Sequence, residues 1–189
     1  MTTSARITRA AGLVLAAGLT LGGCAQPNLQ VSGGEQKLPA GESSAAFLDR
    51  VAAGENVTQN DAMRGVLMLL DGKDEAGGFH QRVQTLADRG VVDRGWDFDA
   101  QAHLTRGQLA YMIYRACNVP GGVILALTGP SRRYCLRELQ YQGFMIEGFA
   151  YTKISGMEYV AVLARAEAYV RTGEIPRELS PIRQPQPTM

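Results

Sequence analysis

The chain has 189 residues, 46% of them hydrophobic and 20% charged, with a formal net charge of +1. That length suits one domain with its own core. The charge balance speaks against a nucleic-acid binder working through a general basic surface, and 7% aromatics with a single tryptophan speak against a large stacking platform for bases or sugars.

Residues 1–9 hold Arg6 and Arg9 and no acid, and residues 10–21 (AAGLVLAAGLTL) form an uncharged apolar run of 12. A bilayer-spanning helix needs about 20 residues, so this run reads as the h-region of a secretory signal. Leu21-Gly22-Gly23-Cys24 follows and resembles the lipobox of bacterial lipoproteins. That resemblance implies cleavage before Cys24, a diacylglyceryl group on its thiol, and a mature chain of 166 residues with net charge −1. More than one acyl chain, at about 0.8 kcal/mol per buried CH₂, gives stable membrane anchoring. The alternative is an ordinary secretory signal with an unrelated cysteine. Ala25, in place of an aspartate, fits transport to an outer membrane under the retention rule of some bacteria.

Residues 24–43 are rich in Gln, Gly, Ser and Pro without apolar periodicity, and read as a flexible tether. Residues 174–189 hold Pro176, Pro181, Pro185 and Pro187, half of the eight prolines, and read as a proline-rich tail. The folded domain is expected over residues 44–173.

Within it one pattern recurs: Val57-Thr58-Gln59-Asn60-Asp61, Leu104-Thr105-Arg106-Gly107-Gln108 and Ile154-Ser155-Gly156-Met157-Glu158. An aliphatic residue, a hydroxyl residue, then Asp, Gln or Glu three positions on is the signature of a helix start. The hydroxyl accepts from an early backbone N–H, and the third side chain reaches back to the cap. Behind the caps, Ala62, Leu109 and Tyr159 stand at the fourth position, Met63, Ala110 and Val160 at the fifth. Val66, Ile113 and Leu163 stand at the eighth, and Leu69, Ala116 and Ala166 at the eleventh, so each helix carries one apolar stripe. The caps are 47 and 50 residues apart.

A second helix type precedes two of these. Val83, Leu86 and Ala87 lead to Gly90-Val91, and Leu136 and Leu139 lead to Gly143-Phe144, a left-handed stop followed by an apolar contact. Phe47, Leu48 and Val51 supply the first helix of an abbreviated first unit. Residues 123–127 (VILAL) fit a short strand or a helical turn equally. The expected fold is mostly α, built from repeated helix-loop-helix units with little or no strand.

The segment 83–116, with Leu86-Ala87-Asp88-Arg89-Gly90-Val91-Val92, Trp96-Asp97-Phe98-Asp99 and Leu104-Thr105-Arg106-Gly107-Gln108-Leu109-Ala110, resembles an S-layer homology unit. Segment 132–166 resembles a degenerate second unit and 57–70 half of one. The resemblance implies a non-catalytic module that binds cell-wall polysaccharide or peptidoglycan-linked material. It suggests Thr105, Arg106 and Trp96 as glycan-binding residues, with the Arg106 guanidinium at a helix start reading an oxyanion. Gln59 and Gly156 occupy the places equivalent to Arg106, so two units lack the arginine. The plainer reading of Arg106 is an exposed first-turn arginine.

Cys117 and Cys135 remain as an even pair in an exported chain, read either as a disulfide or as two buried thiols. His80 and His103 lack metal-ligand spacing, and Asp93, Asp97 and Asp99 lack the glycine and distal glutamate of a calcium loop, so no metal or other cofactor is expected. The sequence thus points to an exported, membrane-anchored envelope lipoprotein, not an enzyme. Its expected partners are the membrane and wall glycan, or another envelope protein if the repeats serve as a scaffold.

Overall fold

The structure is a computed structural model that describes residues 29–33 and 42–175. The expected signal peptide, Cys24, most of the expected tether and residues 176–189 lie outside the described residues. The elements are β1 (Gln30–Ser32), α1 (Ser44–Ala52), α2 (Gln59–Asp71), α3 (Phe79–Asp88), β2 (Asp97–Asp99), α4 (Arg106–Ala116), α5 (Val123–Thr128), α6 (Arg132–Tyr141) and α7 (Gly156–Thr172). The fold is mostly α, and the ambiguous run at 123–127 is helical.

All three expected caps form. The side chains of Thr58, Thr105 and Ser155 accept from the N–H groups of Asp61, Gln108 and Glu158 at 3.1, 3.3 and 3.3 Å. At α4 the capping box is complete, because the Gln108 side chain accepts from the Thr105 N–H at 3.0 Å. The expected stripes face inward: Ala62, Leu109, Tyr159, Val66, Ile113 and Ala166 are all fully buried.

The residue just before each cap does more than introduce a helix. Each lies outside the helices, and its N–H and C=O pair with the same position in another unit. Val57 N–H donates to the Ile154 carbonyl (3.1 Å), Ile154 N–H to Leu104 (3.2 Å), and Leu104 N–H to Val57 (2.8 Å). The three bonds close a ring that links the three units cyclically. A second tier surrounds it, in which the first N–H of each capped helix donates to a neighbouring loop. Gln59 donates to Ala102, Arg106 to Thr152 and Gly156 to Gly54, at 2.8, 2.8 and 3.0 Å. Helix N-terminal N–H groups have no partner inside their own helix, so this ring satisfies donors that burial would otherwise strand.

Packing follows the same cyclic order. Helix α2 packs on α3, α4 on α6, and α7 on α1, so the last helix closes on the first. Gly90 (φ +67°) and Gly143 (φ +86°) end α3 and α6 in the left-handed region. Val91 and Phe144 then fold back, donating to Leu86 and Leu139 at 2.8 Å each, and bury their side chains. Inside α2, Gly65 lets a neighbour in: a Cβ there would lie 2.0 Å from the Tyr159 hydroxyl, which donates to the Ala62 carbonyl at 3.0 Å.

The tether expected over 24–43 is not free along its length. β1 pairs in parallel with β2, placing Val31 opposite Phe98, and the Ala100 N–H donates to the Ser32 carbonyl at 3.2 Å. Leu29 and Val31 pack on the core. The alternation of apolar Leu29 and Val31 with polar Gln30 and Ser32 is a half-buried strand pattern too short to stand out in a polar stretch. Glu42, at the other end, is held by Arg50 at 2.9 Å and Arg64 at 2.5 Å.

Candidate functional site

The three helix starts occupy equivalent places and have diverged at their first residue. At α2, the Gln59 side chain accepts from the Asp99 N–H at 3.3 Å. Beneath it lies a buried polar cluster in which Arg82, 1% exposed, donates to Asp74 and Asn60 at 2.8 Å each. At α7, Gly156 has no room for a side chain, since a Cβ would lie 1.7 Å from the Val51 carbonyl oxygen. The missing arginine at that position therefore has a steric cause in the closure of α1 on α7.

At α4, Arg106 is present but engaged. Its guanidinium pairs with Glu158 of the next helix start at 2.6 Å and reaches the Ile146 and Glu147 carbonyls at 3.5 and 3.4 Å. Burial raises the Glu158 carboxyl above its usual value, and the Arg106 charge opposes that rise. Arg106 thus latches the second unit to the third and sits behind the loop after α6. Thr105 is occupied as the cap of α4. Trp96 is 6% exposed, edge-on to Tyr111 at 5.2 Å, and covered by the Arg132 guanidinium 4.4 Å from its ring centre. Each of the three glycan candidates is therefore already partnered within the fold, and no hydrogen bond or ring contact joins Trp96 to Arg106.

In the structure Cys117 and Cys135 carry free thiols. Cys135 is buried on α6, which packs against α4, the helix that ends at Cys117. Burial pushes the thiols up to about 12 at Cys117 and about 11 at Cys135, so neither is a ready nucleophile. Among the described residues no group of three or more His, Cys, Asp or Glu could hold a metal ion, and no helix is long and apolar enough to cross a membrane.

An accessible cleft of about 390 Å³ lies beside this latch, between the outer face of α6 and the loop 148–151. Arg133, Arg137, Gln140, Phe149 and Tyr151 line it. The Phe149 and Tyr151 rings stack at 5.5 Å and 9°, yet are 66% and 76% exposed. Gln140 fixes the loop by donating to the Ile146 and Gly148 carbonyls, at 3.1 Å each. The sequence reading missed these residues; their signal is an arginine pair one helical turn apart and an aromatic-x-aromatic step in a glycine-flanked loop.

No family model, no curated protein and no solved structure matches the chain. The likeness to S-layer homology units therefore rests on the residues quoted for it.

Proposed function

We propose that the protein is a non-catalytic envelope lipoprotein, anchored through Cys24, whose three-unit helical domain joins a membrane to cell-wall glycan. The observation that carries the reading is the closed ring of Val57, Leu104 and Ile154. Three segments alike in sequence hold equivalent places in one ring, the arrangement expected of a module that repeats one structural unit. The chemistry of the interior agrees with a binding role. The carboxylates of Glu42, Asp74 and Glu158 are each tied to an arginine, and the two thiols are pushed up by burial.

A second reading, a scaffold for another envelope protein, is favoured by α5, which exposes Val123, Ile124 and Leu127. One experiment separates the two. Full-length protein in detergent is incubated with purified sacculi, and membrane pellets of cells making wild type and Cys24→Ser are compared. Retention on sacculi, with loss of pelleting in the variant, is the expected result. Absence of retention, with a protein partner co-purifying from intact cells, replaces glycan anchoring with the scaffold.

A further inference from the structure

We propose that the cleft between α6 and the loop 148–151 binds an acidic sugar residue, with its ring on the Phe149–Tyr151 platform and its anionic group on Arg133 and Arg137. This rests on the wall-glycan reading above and names the ligand class and the place.

Four observations meet here. The first is size: about 390 Å³ accommodates one or two sugar rings and falls in the range of small-ligand sites. The second is the platform. Two large rings stacked on each other and left largely in water hold apolar area that a loop could have turned inward, and the flat apolar face of a pyranose covers such a surface. The third is charge. Arg50, Arg64, Arg82, Arg89, Arg94 and Arg106 are all ion-paired. Arg133 and Arg137, one turn apart on α6, are exposed and make no ion pair or hydrogen bond with any described residue. Two guanidinium forks without a partner among the described residues match the planar geometry of a carboxylate.

The fourth is preorganisation. The loop bearing the rings is fastened from behind by Gln140 and by Arg106, so little order has to be created on binding. Arg106 does not line the cleft; it is a positioning residue for the loop. The helix-start arginine then acts one step removed from the ligand, through the carbonyls of Ile146 and Glu147.

The test titrates the full-length protein in detergent, by calorimetry, with two probes. One is the disaccharide of N-acetylglucosamine and N-acetylmuramic acid, with its lactyl carboxylate free. The other is neutral N,N′-diacetylchitobiose. The acidic disaccharide is expected to bind at least tenfold more tightly, with an advantage that shrinks as salt rises. Arg133→Gln/Arg137→Gln removes that advantage, and Phe149→Ala/Tyr151→Ala weakens both sugars about tenfold. All four side chains are exposed, so the melting temperatures of both double variants stay near wild type. Equal binding of the two sugars by wild type, no binding of the acidic one, or wild-type affinity in the arginine double variant overturns the proposal. Sacculus retention unchanged in all cleft variants also overturns this site while leaving glycan anchoring intact. Disaccharide binding without sacculus retention overturns the anchoring reading instead.

Discussion

Replacing Gly156 by alanine tests the closure of the bundle. The added Cβ would lie 1.7 Å from the Val51 carbonyl oxygen and 2.8 Å from that of Gly54, both backbone atoms at the end of α1. Real Cβ atoms stay beyond about 3 Å from such oxygens, so α1 or α7 must shift by more than 1 Å. That shift stretches the Gly156 N–H bond to Gly54, now 3.0 Å, and disturbs the Val57–Ile154 pairing beside it. Overpacking of this kind costs roughly 1–3 kcal/mol, and a lost buried hydrogen bond adds about 1 kcal/mol. The sum, about 3 kcal/mol, lowers the melting temperature by roughly 10 °C for a domain of this size. Circular-dichroism melts of Gly156→Ala and of Gly77→Ala make the comparison. At Gly77 the nearest atom would be 3.4 Å away, an ordinary contact, and no change is expected. A Gly156→Ala protein that melts within 2 °C of wild type would show that α7 does not start against α1, and the ring would fall with it.

Three further outcomes follow from the same geometry. Arg82→Met removes the donor to Asn60 and the closer of the two arginines on the Asp74 carboxylate, which keeps Arg64 at 3.9 Å and the Ala76 N–H at 3.1 Å, and should cost about 3 kcal/mol in urea unfolding. Arg82→Met/Asp74→Leu should recover part of that loss, whereas fully additive losses would refute a coupled pair. Glu42 is held below its ordinary value of 4.5, chiefly by its hydrogen bonds from Arg50 and against the opposing effect of burial. A carboxyl depressed in the folded state contributes stability that is present above pH 4.5 and is lost as pH falls through its folded value. Glu42→Gln should therefore flatten the acid limb of a melting-temperature profile, and an unchanged limb contradicts the assignment. Finally, a thiol reagent at pH 8 should react slowly with native Cys117 and Cys135, and at the ordinary rate once the unreduced protein is denatured. A denatured, unreduced chain without these two reactive thiols would restore the disulfide.

Local chemistry was well marked in the sequence and long-range chemistry was not. Caps, stripes and glycine stops are set within one or two turns, so Thr58, Thr105, Ser155, Gly90 and Gly143 announce themselves. The ring of Val57, Leu104 and Ile154 was half visible: the sequence marks the three positions as alike, but backbone groups that bond across 47, 50 and 97 residues carry no side-chain signature. The same limit explains Arg106. A first-turn arginine reads as a free anion donor until the fold brings Glu158 to it from the next unit. Trp96 reads as a ligand-facing aromatic until Arg132 is laid over it. Conversely, Phe149 and Tyr151 looked unremarkable because neither belongs to a periodic stripe, and their exposure is a property of the closed bundle alone.

The docked strand changes what a lipid anchor at Cys24 would do. A free tether over 24–43 would let the domain roam about 65 Å from its acyl chains, at roughly 3.3–3.6 Å per extended residue. With Leu29 and Val31 packed on the core and Ser32 bonded to Ala100, only the span from Cys24 to Leu29 would separate the proposed anchor from the domain, about 18 Å at full stretch. Under the proposed anchoring at Cys24, a domain leashed that closely stays near the membrane surface. Val31→Lys, which places a charge opposite Phe98, should release the strand and move a fluorophore on the domain measurably farther from labelled lipid. An unchanged transfer efficiency, with Cys24 acylated in both proteins, would mean that the strand does not set the distance.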